Sequence, residues 1–483
     1  MSSEWKQVRL GDFIDSCLGK MLDQKKNKGA FHPYLGNSNV RWGEFDFSNL
    51  AEMKFEDTEH ERYALKKGDL VVCEGGEPGR CAIWEDEIPN MKIQKALHRI
   101  RTLPGLVTKY LYYWFLLAGK TGSLEPYFTG TTIKHLTGRS LADLTITLPP
   151  VKHQEKCALV LGSLDRKITH NKKINQTLEQ MAQALFKSWF VDFEPVKAKM
   201  TVLEAGGSQE DATLAAMSAI SGKDADTLAV FEREHPEQYA ELKATAELFP
   251  SAMQESELGE IPEGWEFQPF GELLSHTIGG DWGKDESDDK HKMPVRIIRG
   301  TDIPNIKSCQ DSNVPFRYVE EKKLKTRSLN AGDIVIEVSG GSPTQPTGRS
   351  IYVTNEILKR LSLPVEPASF CRLFRPKSKE LGMVLGLHLE RIYQDGKTWL
   401  YQNQSTGISN FQTKVFLENE MVAVAPSEIL KLFYKTTLPF VKLMHSSENI
   451  KLTQLRDTLL PKLLSGEITL PEAEQAVSEA ENV

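Results

Sequence analysis

The sequence predicts an α+β protein made by internal duplication: two similar mixed α/β domains, each followed by a long helix, with the two helices packed as an antiparallel coiled coil about a pseudo-twofold axis. Three observations carry this. Residues 149–193 open on Pro149-Pro150 and then run with one glycine (Gly162) and no further proline before Pro195. Residues 426–466 close the chain with a related stretch. The segments ahead of each stretch match one another in order.

The first long stretch fixes the frame. Prolines are tolerated at a helix start because their missing N–H would lack an intrahelical partner there. Apolar or small residues follow at Leu161, Leu164, Ile168, Leu178, Ala182, Leu185 and Trp189, stepping by threes and fours. That spacing makes the narrow seam of a coiled-coil strand rather than the broad face of a core helix. Asn171 and Asn175 fall on the seam between its two apolar halves, where a polar residue fixes register at a cost in stability.

Length and composition set the bounds. A chain of 483 residues, 40% apolar, has material for two to four domains. No run of 18 apolar residues occurs, and Met1-Ser2-Ser3-Glu4-Trp5 is not a charged-then-apolar leader, so a soluble, cytoplasmic protein is expected. Six scattered cysteines (Cys17, Cys73, Cys81, Cys157, Cys309, Cys371) without a Cys-x-x-Cys pair are expected to be reduced thiols rather than zinc ligands or disulfides. The net charge of −7 argues against a uniformly basic surface. Its source is local, because residues 201–263 hold three basic residues against fourteen acidic ones.

Residues 1–148 read as the first α/β domain. Trp5–Leu10 alternates like a strand and ends on Gly11-Asp12. Lys66-Lys67-Gly68-Asp69 turns into the apolar strand Leu70–Cys73. The glycine loop Gly75-Gly76-Glu77-Pro78-Gly79-Arg80 leads to a second strand at Cys81–Trp84. An apolar helix covers 106–117, a polar turn lies at 129–133, and a last strand at 144–148 precedes the prolines. Residues 194–263 read as an acidic linker with two or three small helices, its charge run a solvated face.

Residues 264–425 repeat the first domain. Trp265 through Gly271 answers Trp5 through Gly11, and Leu329–Ile336 answers Leu65–Val72. Gly340 through Gly348-Arg349 answers Gly75 through Gly79-Arg80, and 405–410 answers 129–134. In the helices, Asn449–Leu463 answers the stretch from Asn175 through Phe186. Pro439 and Pro461 are expected to kink or end the C-terminal helix. Residues 467–483 are left as a tail.

Two narrow-seamed helices cannot bury those seams alone, and antiparallel pairing places one domain at each end. Forty helical residues span roughly 60 Å at 1.5 Å per residue. DNA readers with twofold symmetry touch half-sites set by such a spacing; two non-identical readers would recognise an asymmetric, bipartite site.

The segment order, the Leu148-Pro149-Pro150-x-x-x-Gln154-Glu155 helix entry, the run Leu178–Phe190 (LEQMAQALFKSWF) and the run Leu455–Glu467 (LRDTLLPKLLSGE) resemble the specificity subunit of type I restriction–modification systems across essentially the whole chain. The resemblance implies two target-recognition domains, 1–148 and 264–425, each reading half of a split sequence in double-stranded DNA. It implies that the helical regions 149–193 and 426–466 act as spacer and as docking platform for two modification (methyltransferase) subunits, which restriction/translocase subunits then join. No membrane partner is implied. The acidic insert 194–263 is not part of that pattern.

The residues suggest no catalysis by the chain itself. Gly119-Lys120-Thr121 lacks the first glycine of a phosphate-binding loop and ends an apolar helix, so Gly119 is expected as a helix C-cap. The glycine loops lack G-x-G-x-x-G and a following long helix. The Asn-Pro-Pro-aromatic tetrapeptide of adenine methyltransferases is absent from the sequence. Asp285-Glu286-Ser287-Asp288-Asp289 reads as a solvated turn. S-adenosylmethionine, ATP and Mg²⁺ are accordingly expected on the partner subunits, with no cofactor or metal on this chain.

Base readout uses Arg or Lys on guanine and Asn or Gln on adenine, while hydroxyls mostly hold phosphates. Candidates in the first domain are Asn37, Asn39, Arg41, Arg80, Thr131, Lys134, His135 and Arg139. In the second they are Lys284, Arg296, Arg299, Arg349, Gln404, Ser405, Thr406, Asn410 and Lys414. The seam candidates are Asn171, Asn175, Leu178, Leu185, Leu452, Leu455 and Leu459, with Trp189 and Phe190 either core or facing a partner. Two other classes stay open at this point. One is a coiled-coil scaffold with two protein-binding domains; the other is a DNA mimic, for which only the acidic insert has the charge.

Overall fold

The computed structural model describes residues 5–23, 27–311, 313–340, 342, 345–405 and 408–481. The chain divides into two units, 1–169 with 451–483, and 170–450. Each unit contains one α/β domain and part of both long helical stretches.

The duplication is explicit in the strand pairing. In the first unit Lys6–Arg9 pairs antiparallel with Thr145–Leu148, bringing the ends of the domain together. In the second, Glu266–Pro269 pairs the same way with Met421–Val424. A four-stranded sheet in the order Ile14–Leu18, Leu97–Thr102, Leu70–Cys73, Cys81–Ile83 has its counterpart in Leu274–Gly279, Cys371–Pro376, Ile334–Glu337, Ser350–Tyr352. A three-stranded sheet of Ala51–Phe55, Ala30–Leu35 and Lys92–Ile93 matches Phe316–Glu320, His291–Ile298 and Val365–Pro367. Each copy keeps the same mixture, with one antiparallel neighbour and one parallel.

The central strands are fully buried, as their unbroken apolar runs predict: Leu70–Cys73 and Ile334–Ile336 have no exposed surface. One amphipathic helix covers each four-stranded sheet, Thr108–Thr121 in the first unit and Lys379–Gln394 in the second. The first of these does not end at Gly119. Its left-handed cap is Gly122 (φ 72°), and Gly119 lies inside the helix against the Trp42 indole.

The central helix runs unbroken from Val151 to Phe190. Gln154 fixes its entry: its side-chain amide donates to the carbonyls of Gly105 and Pro149 and accepts from the Val107 N–H. Antiparallel pairing with the C-terminal stretch is visible in each unit by itself. In the first, Cys157 meets the Leu463 carbonyl, and Asp165 binds Arg456 at 2.9 Å while accepting from the Tyr113 hydroxyl at 2.6 Å. In the second, Asn171 Nδ2 donates to Asn449 Oδ1 at 3.0 Å, and Asn175 Nδ2 donates to the Met444 carbonyl at 3.3 Å. Both seam asparagines therefore spend their amides on the partner helix. Leu161, Leu164, Ile168, Leu452 and Leu459 are buried as expected, with Leu455 half-buried. Toward the far end the apolar face turns: Leu178 and Leu185 are only half-buried, while Ala182, Phe186, Trp189 and Phe190 are buried. Trp189 and Phe190 pack on Phe249, Trp265 and Phe433, which makes them core residues of this unit.

Three expectations are corrected. First, neither Pro439 nor Pro461 ends its helix; they lie within Ser427–Met444 and Glu448–Ser465. The break falls at residues 445–447, where tertiary donors take over helix carbonyls: Arg360 reaches the His445 carbonyl at 2.9 Å, and the Cys309 thiol those of Met444 and Ser446. Arg360 is buried and held bidentately by Asp311, so the break is anchored. Second, the acidic insert is a folded unit of four helices, Glu194–Glu204, Gln209–Ser221, Ala225–Glu234 and Pro236–Glu247, followed by the hairpin Met253–Ser256 and Gly259–Pro262. Its small core is Ala216, Met217, Leu228 and Ala246, and its acidic side chains are exposed. Third, the tail contains the helix Leu470–Glu481, which buries Ala473 and Val477 in the core of the first unit.

Candidate nucleic-acid interface

The loops that recur in sequence meet in space, once in each unit. In the first unit Leu136 N–H donates to the Glu74 carbonyl, and Thr129 and His135 exchange two backbone hydrogen bonds of 2.9 Å. Gly75 bridges to His135, so the glycine loop and the 129–135 turn form one surface. The 36–41 loop joins them through Arg80, whose guanidinium donates to the Asn37 carbonyl at 3.0 Å and to Glu77 at 2.9 Å. Glycine is required at Gly79: its φ is 95°, and a Cβ there would lie 2.3 Å from Leu124.

The second unit builds the same junction with more strand. Ser339–Gly340 pairs with Ile408–Phe411, which pairs in turn with Gln402–Ser405. Ser339 donates to the Asn410 side chain at 2.8 Å, and the Thr347 N–H to that of Gln402 at 2.9 Å. Beside this sheet lies an open cleft of about 750 Å³ whose walls include Trp282, Arg299, Ser339, Gln345, Arg349 and Phe370.

The structure separates the candidates into free and committed groups. Arg139 (93% exposed), Lys414 (88%), Lys134, Thr131 and Lys284 present their side chains to solvent, with at most long ion pairs of 3.9 Å. Arg41 is exposed but shared with Asp46 and the Ser38 carbonyl. Asn410 is exposed and accepts from Ser339. His135 and Asn37 are half-buried at the loop junction.

Four candidates spend side-chain hydrogen bonds on groups of their own domain. Asn39 is buried, its amide accepting from Gly36 N–H and donating to the carbonyls of Asp46 and Asn49. Arg80 clamps two loops. Arg349 grips Glu337 bidentately, with 14% and 3% of the two side chains exposed, and that carboxylate raises the guanidinium pKa further. Arg296 donates to the Val314 carbonyl. Arg299 is intermediate, held by Asp302 and the Asn313 carbonyl yet bordering the cleft. Thr406 and the side chains of Gln404 and Ser405 lie outside the described residues.

Sequence reasoning missed Phe370, an aromatic residue 65% exposed in the turn between Pro367 and Cys371, which lines the cleft together with Trp282. Trp282 itself carries the Arg317 guanidinium 4.6 Å over its ring. An apolar residue in a strand-connecting turn was the only available signal, and it does not distinguish rim from core.

Residues 2–180 match the family model described as the type I restriction modification DNA specificity domain. The type I restriction enzyme HindI specificity subunit of Haemophilus influenzae is 29% identical to the chain, over 96% of this chain and 100% of that protein. The MjaIX specificity subunit of Methanocaldococcus jannaschii is 25% identical, over 97% and 94%. Among solved structures, a type I restriction-modification S subunit from M. genitalium is 16% identical with a TM-score of 0.48, covering 96% of this chain and 97% of that one. Over nearly its whole length, with its paired domains and paired helices, the chain is similar to type I restriction–modification specificity subunits.

Proposed function

We propose that the chain is the DNA sequence-specificity subunit of a type I restriction–modification complex and that each α/β domain reads one half of a bipartite, asymmetric site. One observation carries this reading: the same loop junction is built twice, on matching sheets, but with different polar residues at its surface. Equal scaffolds with unequal loops suit two half-sites of unequal sequence. The free cations Arg139, Lys134, Lys284 and Lys414 would hold phosphates or guanine edges, and the cleft beside Phe370 adds an apolar wall to the second reader.

The chain contributes recognition rather than catalysis. Two methyltransferase subunits would dock on the helical regions and would use S-adenosylmethionine; restriction/translocase subunits would use ATP and Mg²⁺. The complex would act on cytoplasmic DNA. No described helix is long and apolar enough to cross a membrane.

The test is an exchange of residues 1–148 for the corresponding domain of another specificity subunit, expressed with the modification subunit and read out by methylome sequencing. One half of the methylated motif should change while the other persists. A change in both halves, or in neither, rejects the two-reader assignment. The scaffold alternative predicts no DNA affinity, whereas a DNA reader loses affinity steeply as salt rises, by roughly one phosphate-equivalent of slope for each cation removed.

A further inference from the structure

The duplicated halves provide an internal comparison of their opening tryptophans. In the second unit Trp265 is 1% exposed. Phe190 and Phe193 lie 5.5 and 5.8 Å from it, and Phe249, from the acidic insert, lies 6.5 Å away. Phe249 also packs edge-on against Trp189 at 4.9 Å, and its carbonyl accepts from the buried Lys199 at 2.6 Å. The helix that bears Lys199 follows a left-handed residue, Phe193 (φ 53°), and has Pro195 in its first turn.

The first unit repeats this arrangement as far as the helix. Leu470–Glu481 follows the left-handed Gly466 (φ 74°) and has Pro471 in its first turn. Trp5 packs against Gly466 and edge-on to His153 at 5.0 Å, yet it is only half-buried. Among the described residues no counterpart of Phe249 reaches it. Instead an open groove of about 580 Å³ borders Trp5, Lys152, His153, Lys156, Gly466 and Pro471. Lys152 and Lys156 are exposed and have no ion pair among the described residues, and His153 Nε2 is buried without a hydrogen-bond partner.

We propose that this groove docks an acidic segment of a partner polypeptide carrying a Phe-Pro pair. Its ring would seat on Trp5 as Phe249, followed by Pro250, seats beside Trp265, and its carboxylates would meet Lys152 and Lys156. The chain supplies that segment in cis to one half and leaves the equivalent half to be filled in trans. The proposal rests on the duplication and not on DNA reading, so its failure leaves the proposed function standing.

A fluorescent peptide with the sequence of residues 245–252 (TAELFPSA) serves as the probe, titrated against the full chain by anisotropy. Saturable binding is expected. It should weaken at least tenfold in the Lys152→Glu/Lys156→Glu chain and for the peptide with Phe249→Ala, while affinity for target DNA and the melting curve of the chain stay unchanged. Absence of saturable binding overturns the proposal, as does binding indifferent to either substitution. Peptide binding that emerges only after removal of residues 1–4 would name the chain's own start as the occupant and overturn it too. So would self-association of the chain that the lysine substitutions abolish, since a second copy would then fill the groove.

Discussion

Arg349→Ala distinguishes a structural clamp from a DNA contact. The guanidinium and the Glu337 carboxylate form a bidentate pair at the end of a central strand, nearly shut off from water. Gly300 and Gly340 press on the same carboxylate: a Cβ at either would fall 2.3 or 2.7 Å from Glu337 Oε1. Removing the arginine therefore leaves a buried charge with no room to relax, at a cost of about 3–5 kcal/mol. For a unit of this size that corresponds to a fall in Tm on the order of 10 °C. The double variant Arg349→Ala/Glu337→Gln removes the stranded charge and should recover at least about half of that loss. Thermal unfolding across the full cycle, with binding to a duplex containing the target site at fixed salt, measures both quantities. A clamp predicts that stability and affinity fall together in the single variant and return together in the double. If Arg349→Ala instead keeps its Tm and loses affinity by about 1–3 kcal/mol, the size of one base contact, with no rescue by Glu337→Gln, the clamp assignment is refuted.

Two further predictions concern the fold that presents the readers. Glu366 is buried with both carboxylate oxygens unpartnered; burial, reinforced by the nearby Asp281, pushes its pKa up to about 7. Because the folded value lies above the ordinary one, the stability associated with the neutral acid is present at low pH and is lost as pH rises through about 7. Glu366→Gln should thus raise Tm at pH 8 by several degrees and do little at pH 5; an equal gain at both would show that the carboxyl does not titrate there. Asn171→Leu alone strands the Asn449 side chain in a half-buried seam and should cost about 1 kcal/mol, whereas Asn171→Leu/Asn449→Leu should be neutral or stabilising. The double variant should also tolerate a wider range of gaps between half-sites in a binding selection, and strictly additive losses would deny the pairing.

The duplication, the apolar central strands Leu70–Cys73 and Ile334–Ile336 and the central helix were legible in the sequence, because apolar periodicity and repeated turn residues are local properties. So was the need of Asn171 and Asn175 for polar partners, since they fall between apolar halves of the seam; the structure supplies Asn449 and the Met444 carbonyl. What sequence left undecided was the state of each polar side chain. Arg80 and Arg349 occupy matching places after matching glycines, but the partner of Arg349 is Glu337, whose counterpart in the other copy is Cys73, so the repeat gave no warning of a buried ion pair. Asn39 looked like an adenine reader until a loop ten residues long folded its carbonyls around the amide. The helix break at 445–447 likewise belongs to Arg360 and Cys309, distant in sequence, rather than to the prolines within the helices. Periodicity determines which elements form and what they bury. Which cations remain free for DNA depends on carboxylates and carbonyls delivered by other elements, and only the tertiary structure brings those together.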